Sequence, residues 1–248
     1  MKKIILLFCF IAAISINSQA NNGKDSSKVI PGNKNLIKIN LPTLLIRTYA
    51  LEYERAIGKK IALSFGYRFM PNGVIPMKDR IIIALDDPDL ARQINTFNTS
   101  NSALTPQIKF YFGKDVFKGF YLAPFARIAK YKFDGIFEFD INNTIRTIPL
   151  AGELNTFTGG LEIGSQFRIG KAIHLNFHIG PQFGSSKGDF IGTKTLNAQE
   201  QQALRDELEG LDIPFANTEV TVNGNGANLN LSGPWGGLKG GIMLGYRF

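Results

Sequence analysis

The sequence predicts an all-β fold, an eight-stranded antiparallel transmembrane β-barrel with long extracellular loops that carry short helices. Apolar and polar residues alternate with a period of two along most of the chain beyond residue 20. The connections between the alternating runs are short and long in turn. Beyond residue 20, no apolar run reaches the roughly 18 residues that a membrane helix needs.

The chain has 248 residues, 44% hydrophobic and 19% charged, which excludes a wholly disordered protein. Its single cysteine excludes a disulfide scaffold. Met1-Lys2-Lys3 is a basic start, Ile4 to Ile16 is an apolar run, and Asn17-Ser18-Gln19-Ala20 supplies the small residues of a cleavage site. Residues 1–20 therefore read as a secretory signal peptide. The run is too short for a transmembrane anchor. Cys9 follows Leu6-Leu7-Phe8 rather than a small residue, which argues against lipidation. Cleavage removes Lys2 and Lys3, so the formal charge of +8 falls by two to +6, and no cysteine remains. The basic residues are scattered, so nucleic acid is not an expected partner. Residues 21–34 read as a polar periplasmic tail and 35–248 as the barrel domain.

From Asn35 to Ile57 the parity is continuous. Ile37, Ile39, Leu41, Tyr49, Leu51 and Tyr53 share one face, and Lys38, Asn40, Glu52 and Glu54 share the other. Two strands joined by a three-residue turn at Leu44-Leu45-Ile46 preserve that parity; a single long strand is the open alternative. Next, Ile61, Leu63, Phe65, Tyr67 and Phe69 oppose Ala62, Ser64, Gly66 and Arg68. Ile108, Phe110 and Phe112 oppose Gln107, Lys109 and Tyr111. Between Lys118 and Phe133, where Pro124 marks an irregularity, Phe120, Leu122 and Ile128 oppose Tyr121, Arg127 and Tyr131. Phe157, Leu161, Ile163, Phe167 and Ile169 oppose Thr158, Glu162, Gln166 and Arg168. Ile173, Leu175, Phe177, Ile179, Pro181 and Phe183 oppose His174, Asn176, His178 and Gln182. Finally Leu238, Ile242, Leu244, Tyr246 and Phe248 oppose Lys239, Gly241, Gly245 and Arg247. Gly58-Lys59, Gly113 to Phe117 and Gly170-Lys171 are short turns. Met70 to Leu104, Asp134 to Asn155 and Ser185 to Pro234 read as long loops.

A soluble eight-stranded carrier would show the same alternation with its apolar face inside. Two aromatic girdles point the apolar face outward instead. Tyr67, Phe69, Phe157, Phe183 and Trp235 form the one near the long loops, and Phe112, Phe120, Phe167, Tyr246 and Phe248 the one near the short turns. The opposite face is too charged for an apolar ligand cavity. An eight-stranded barrel has room only for side chains. Asn40, Glu52, Ser64, Lys109, Arg127, Glu162 and His178 fall in one middle layer, which two carboxylates and two cations balance; Glu54, Arg68 and Arg168 extend it. The expectation is an interior plug of salt bridges and hydrogen bonds.

His174 and His178 share a face roughly 13 Å apart at ~3.3 Å per residue, which is poor geometry for a shared metal. Ser185 and Ser186 lie near the top of the same run, but no nucleophile motif surrounds them. No catalytic residue, cofactor or metal is expected. Gly224-Asn225-Gly226 is turn chemistry rather than a phosphate loop. Asn197-Ala198-Gln199-Glu200 opens a helix to Leu211 with a capping box. Its apolar face of Ala203, Leu204, Leu208 and Leu211 is open to four readings: packing on its own loop, capping the barrel mouth, binding a partner, or resting on the membrane. Asp87-Pro88 starts a second short helix through Phe97.

The C-terminal Ile242-Met243-Leu244-Gly245-Tyr246-Arg247-Phe248 resembles the terminal strand signal of bacterial outer-membrane proteins. That resemblance implies recognition by the barrel assembly machinery. The chain beyond the signal resembles the small OmpA/OmpX-like barrels. Lys38-Ile39-Asn40, the run Tyr49 to Lys60 (YALEYERAIGKK) and Gly66-Tyr67 more narrowly resemble an uncharacterised Bacteroidetes-type outer-membrane barrel family. The resemblance covers roughly residues 35–248 outside the long loops. It implies fold and a Gram-negative outer-membrane location among lipid and lipopolysaccharide, and brings no activity. The expected function is structural or interactional, through the extracellular loops, with a partner the sequence does not name. A lipid A-modifying enzyme and a narrow small-solute channel are the alternatives.

Overall fold

The computed structural model describes residues 33–85, 88–142, 144–211 and 215–248. The segment expected to be a signal peptide, with Cys9, most of the expected tail, and Asp87 lie outside the described residues. The fold is all-β, a single antiparallel sheet of nine strands. In chain order these are β1 (Asn35–Asn40), β2 (Tyr49–Ala56), β3 (Ile61–Val74), β4 (Asn98–Tyr111), β5 (Gly119–Ile141), β6 (Thr144–Arg168), β7 (Ile173–Thr193), β8 (Asn217–Asn223) and β9 (Gly226–Arg247). Each strand pairs with the next up to β7, which pairs with β9, and β9 pairs back onto β1 from Leu36↔Arg247 to Asn40↔Met243. Eight strands thus close a ring with no open edge. The ninth, β8, lies outside that ring on the upper half of β9 and was not expected.

Residues 35–57 form two strands. Their connection is longer than a three-residue turn: a one-turn helix α1 (Leu41–Leu44) with Pro42 in its first turn, then a loop to Thr48. Parity survives it, so Ile37, Leu51 and Tyr53 stay exposed while Lys38 and Glu52 stay buried. The short turns at 57–60, 112–118 and 169–172 lie at one end of the ring. The opposite end carries α1, α2 (Lys78–Leu85), α3 (Pro88–Thr96), the β5–β6 tip, α4 (Ala198–Glu209) and β8. Helix α2 was not expected. No helix among the described residues is long and apolar enough to cross a membrane.

The segment 134–155, read from sequence as a loop, is instead the upper half of a hairpin paired without a break from Gly119↔Gln166 to Ile141↔Thr144. Strands β7 and β9 extend with it up to Thr193↔Gly226. These extensions have their own core. Phe137, Phe139 and Ile148 point inward against Leu204 and Leu208 of α4, with Leu196, Val222 and Leu229. Asn197 caps α4 in a full capping box with Glu200. The helix therefore packs on its own loop region.

The two levels of the ring have inverted polarity. In the lower level the outward residues are apolar: Phe65 is 53%, Leu161 45% and Ile179 47% exposed. Lys38 and Lys109, facing inward there, are 1% and 0% exposed. In the upper level Lys132, Asn155, Lys187, Asp189 and Asn230 face out and the inward side is the apolar core just described. The change falls between neighbouring outward pairs, from Ile128↔Phe157 to Lys130↔Asn155.

At the boundary Lys130 pairs with Glu153 at 2.9 Å and Asn155 donates to the same carboxylate at 3.0 Å. The Asn155 and Lys130 hydrogen bonds hold the Glu153 carboxyl below the usual carboxylate range. A depressed carboxylate contributes above its ordinary pKa near ~4.3 and loses that contribution as pH falls through the lower folded value. The carbon-detected titration midpoint of Glu153 should accordingly lie below ~4.3 and rise in Asn155→Ala. An ordinary midpoint in both would show that the tie does not persist in solution.

Candidate functional site: the ring interior

The inward side chains of the lower level form one connected polar cluster. Glu52 accepts from Lys38 and Lys109, both at 2.6 Å, and from the Gln107 amide at 2.9 Å. Gln107 also reaches Ser64 at 3.1 Å. Glu54 pairs with Lys38, lies 3.4 Å from Lys109 and accepts from the Tyr111 hydroxyl at 2.6 Å. Across the ring, Lys239 pairs with Glu162 and donates to Gln107 at 2.9 Å. The Tyr121 hydroxyl donates to Glu162 at 2.8 Å, Asn176 donates back to Tyr121 at 3.0 Å, and His178 meets Asn176 at 3.1 Å.

Small residues make the room. The C-terminal strand places Gly245 opposite Lys38, where a Cβ would press on the lysine stem. Gly164 lies opposite Tyr121 and Gly160 opposite Phe125, so each ring lies over a glycine on the next strand. Lysine charges use these rings too: Lys109 lies 4.6 Å from the Tyr121 centroid and Lys239 5.0 Å from that of Phe125.

The structure brings together the expected Glu52, Glu54, Ser64, Lys109, Glu162 and His178. It adds Lys38, Gln107, Tyr111, Tyr121, Gln166, Asn176 and Lys239, whose inward parity the sequence already showed. Asn40 is interior, but its side-chain oxygen has no hydrogen-bond partner among the described residues. Arg168 is half-buried at the short-turn end, away from the cluster. Arg68 and Arg127 face a cavity instead. The expected charge balance does not hold: among the described residues Lys38, Lys109, Lys239, Arg68 and Arg127 face the carboxylates of Glu52, Glu54 and Glu162.

Phe117, a turn residue from sequence, closes the short-turn end. Its backbone takes φ 66° and its ring is fully buried. The ring meets Tyr111 at 6.3 Å and His174 at 6.4 Å, with the Arg247 guanidinium over it at 5.2 Å. A bulky residue at positive φ is strained, and the surrounding contacts hold it.

Of the girdle residues, Tyr67, Phe69, Phe112, Phe120, Phe157, Phe167, Phe183, Tyr246 and Phe248 are exposed on the outer face. Trp235 corrects the expectation. It pairs with Gly184, shares the inward parity of Lys239, and lies 5.6 Å from the inward Tyr131 ring. Above this aromatic pair an apolar chamber of about 320 Å³ is lined by Phe133, Phe190 and Leu231 among others. No metal-holding group of His, Cys, Asp or Glu occurs among the described residues.

The fold and interior define a class: a closed, antiparallel, all-β ring with an ion-paired filling. The sequence matches the family described as protein of unknown function (DUF3575) over residues 5–206, and the chain belongs to that family. The match spans β1 to β7 and ends within α4. No curated protein matches the sequence.

Proposed function

We propose that this chain is a Gram-negative outer-membrane barrel, exported by its signal peptide and similar in kind to the small OmpA/OmpX-like barrels. Its lumen is filled, and it acts as a structural or surface-interaction protein through the extended hairpins and helices above the membrane. The inversion of polarity between the two levels carries this reading. A soluble barrel needs no level at which its outward face turns from apolar to polar, whereas a bilayer surface requires one. The apolar level also has the right height. On β7 it runs from Ile173 to Phe183, ten steps of ~3.3 Å, which at a tilt near 40° is about 25 Å. The outward face of that level carries one charged residue among those described, Arg55 at its short-turn edge, hydrogen-bonded to Asn35 at 3.0 Å. Closure by β1–β9 leaves no unpaired edge for lipid to meet.

Lipopolysaccharide and outer-membrane lipid surround the belt in this reading, and the C-terminal strand engages the barrel assembly machinery. The ion cluster and the Phe117 plug argue for a filled lumen over a conducting one, and no nucleophile joins His178 among the described residues, so neither a channel nor a lipid A-modifying enzyme is favoured. The test is heat-modifiable gel mobility of outer-membrane fractions. Unboiled protein should run at a different position from boiled protein. Identical mobility, or recovery with soluble periplasmic contents, would overturn the proposal.

A further inference from the structure

We propose that Arg68 and Arg127 form a binding site for a small free oxyanion, a phosphate or a carboxylate, in the lumenal cavity that both line. That cavity holds about 140 Å³.

The charges of the interior lead there. Glu52, Glu54 and Glu162 are each engaged by lysines, and the two arginines are left over. Arg127 is 8% exposed and has no hydrogen bond or ion pair among the described residues. Arg68 gives one hydrogen bond, to the Tyr131 hydroxyl at 3.1 Å, and its buried Nε has no partner. A buried cation without a counter-charge is costly, by about 3–5 kcal/mol where measured as a broken pair. An anion removes that cost.

The cavity suits one. The register sets Arg68 opposite Ala50 and Gly66 opposite Thr105, and Ala50 and Gly66 line the cavity, so small residues beside Arg68 leave space there. Asn40 and Thr105 bring further polar groups to the wall, and Glu52, whose oxygens are taken by Lys38, Lys109 and Gln107, is the carboxylate there. Guanidinium forks match the paired oxygens of phosphate and carboxylate better than a spherical halide. The site is inside the ring, beneath the Tyr131–Trp235 pair, and so is separated by the sheet from any lipid on the outer face.

The chain contains one tryptophan, Trp235. Its ring touches Tyr131, which holds Arg68, so its emission reports on the site. The experiment titrates inorganic phosphate into the folded barrel in detergent at low ionic strength, with calorimetry in parallel. Acetate, chloride and micelles doped with phosphatidylglycerol form the other arms. Saturation should occur below about 10 mM phosphate or acetate, as for Kd values near 1 mM or tighter. Arg127→Gln and Arg68→Gln should each weaken it by about ten-fold or more. Lys187→Gln, on the outer face, should leave it unchanged. If the glutamine variants do not fold, Arg127→Lys, which keeps charge and loses the fork, should bind phosphate more weakly than wild type. No saturation with either oxyanion, equal response to chloride, a response to the doped micelles alone, or affinity unchanged in the arginine variants would each overturn the site.

Discussion

Glu52→Ala should destabilise the barrel by about 3–5 kcal/mol, because it removes the carboxylate shared by two buried ammonium groups. Lys38 and Lys109 both lie 2.6 Å from Glu52, and the remaining acid between them is Glu54. Denaturant titration followed by gel mobility measures the loss. The pairing also predicts non-additivity. Glu52→Ala combined with Lys109→Ala should cost less than the two single changes added together, since the second change removes one of the charges orphaned by the first. Additive losses would mean that the cluster is not the coupled unit its distances describe. Glu153→Ala, at an exposed pair, should be nearly silent by comparison.

Ile179→Arg should cost about 2–4 kcal/mol in a bilayer, the charge being placed near the middle of the outward apolar level. Asp189→Arg, on the same strand and the same face ten residues higher, should change stability by no more than about 0.5 kcal/mol. The two substitutions share a strand, a parity and an introduced side chain, and differ in height and in the residue replaced. Equal effects at both sites would remove the distinction between the two levels. Folding into lipid vesicles, scored by the fraction at the folded gel position across a urea series, supplies both numbers.

Which residues share a face was legible from period two, and the aromatic girdles and the charge of the opposite face set which side turns inward. Glu52, Lys109, Glu162 and His178 were found that way, as were the outward Phe65 and Ile179. What was not legible follows from physical causes. The β5–β6 extension alternates too, through Phe137, Phe139 and Ile148, but its apolar side faces inward. A reading that stops each strand at the height of a membrane takes the remainder for loop. Trp235 was misplaced because Ser232-Gly233-Pro234 and Gly236-Gly237 flank it and give no large side chain from which to count parity. Phe117 was hidden because a turn residue carries no strand parity, and its inward direction depends on a positive φ. The charge surplus emerged only from register. Lys38 and Lys239 were visibly inward, but the match of each to Glu52, Glu54 or Glu162 needed the sheet closed, and only then were Arg68 and Arg127 left over.

The inversion of polarity at the boundary between Phe157 and Asn155 is the claim on which the membrane reading stands. Cys9 is the chain's one cysteine and lies in the segment expected to be cleaved, so single cysteines can be introduced at Leu63, Leu161, Ile179, Asn155, Lys187 and Asp189 and labelled with a fluorophore. In vesicles of brominated lipid, labels at Leu63, Leu161 and Ile179 should be strongly quenched and those at Asn155, Lys187 and Asp189 should not. Uniform quenching at all six sites, or none at the first three, would contradict it.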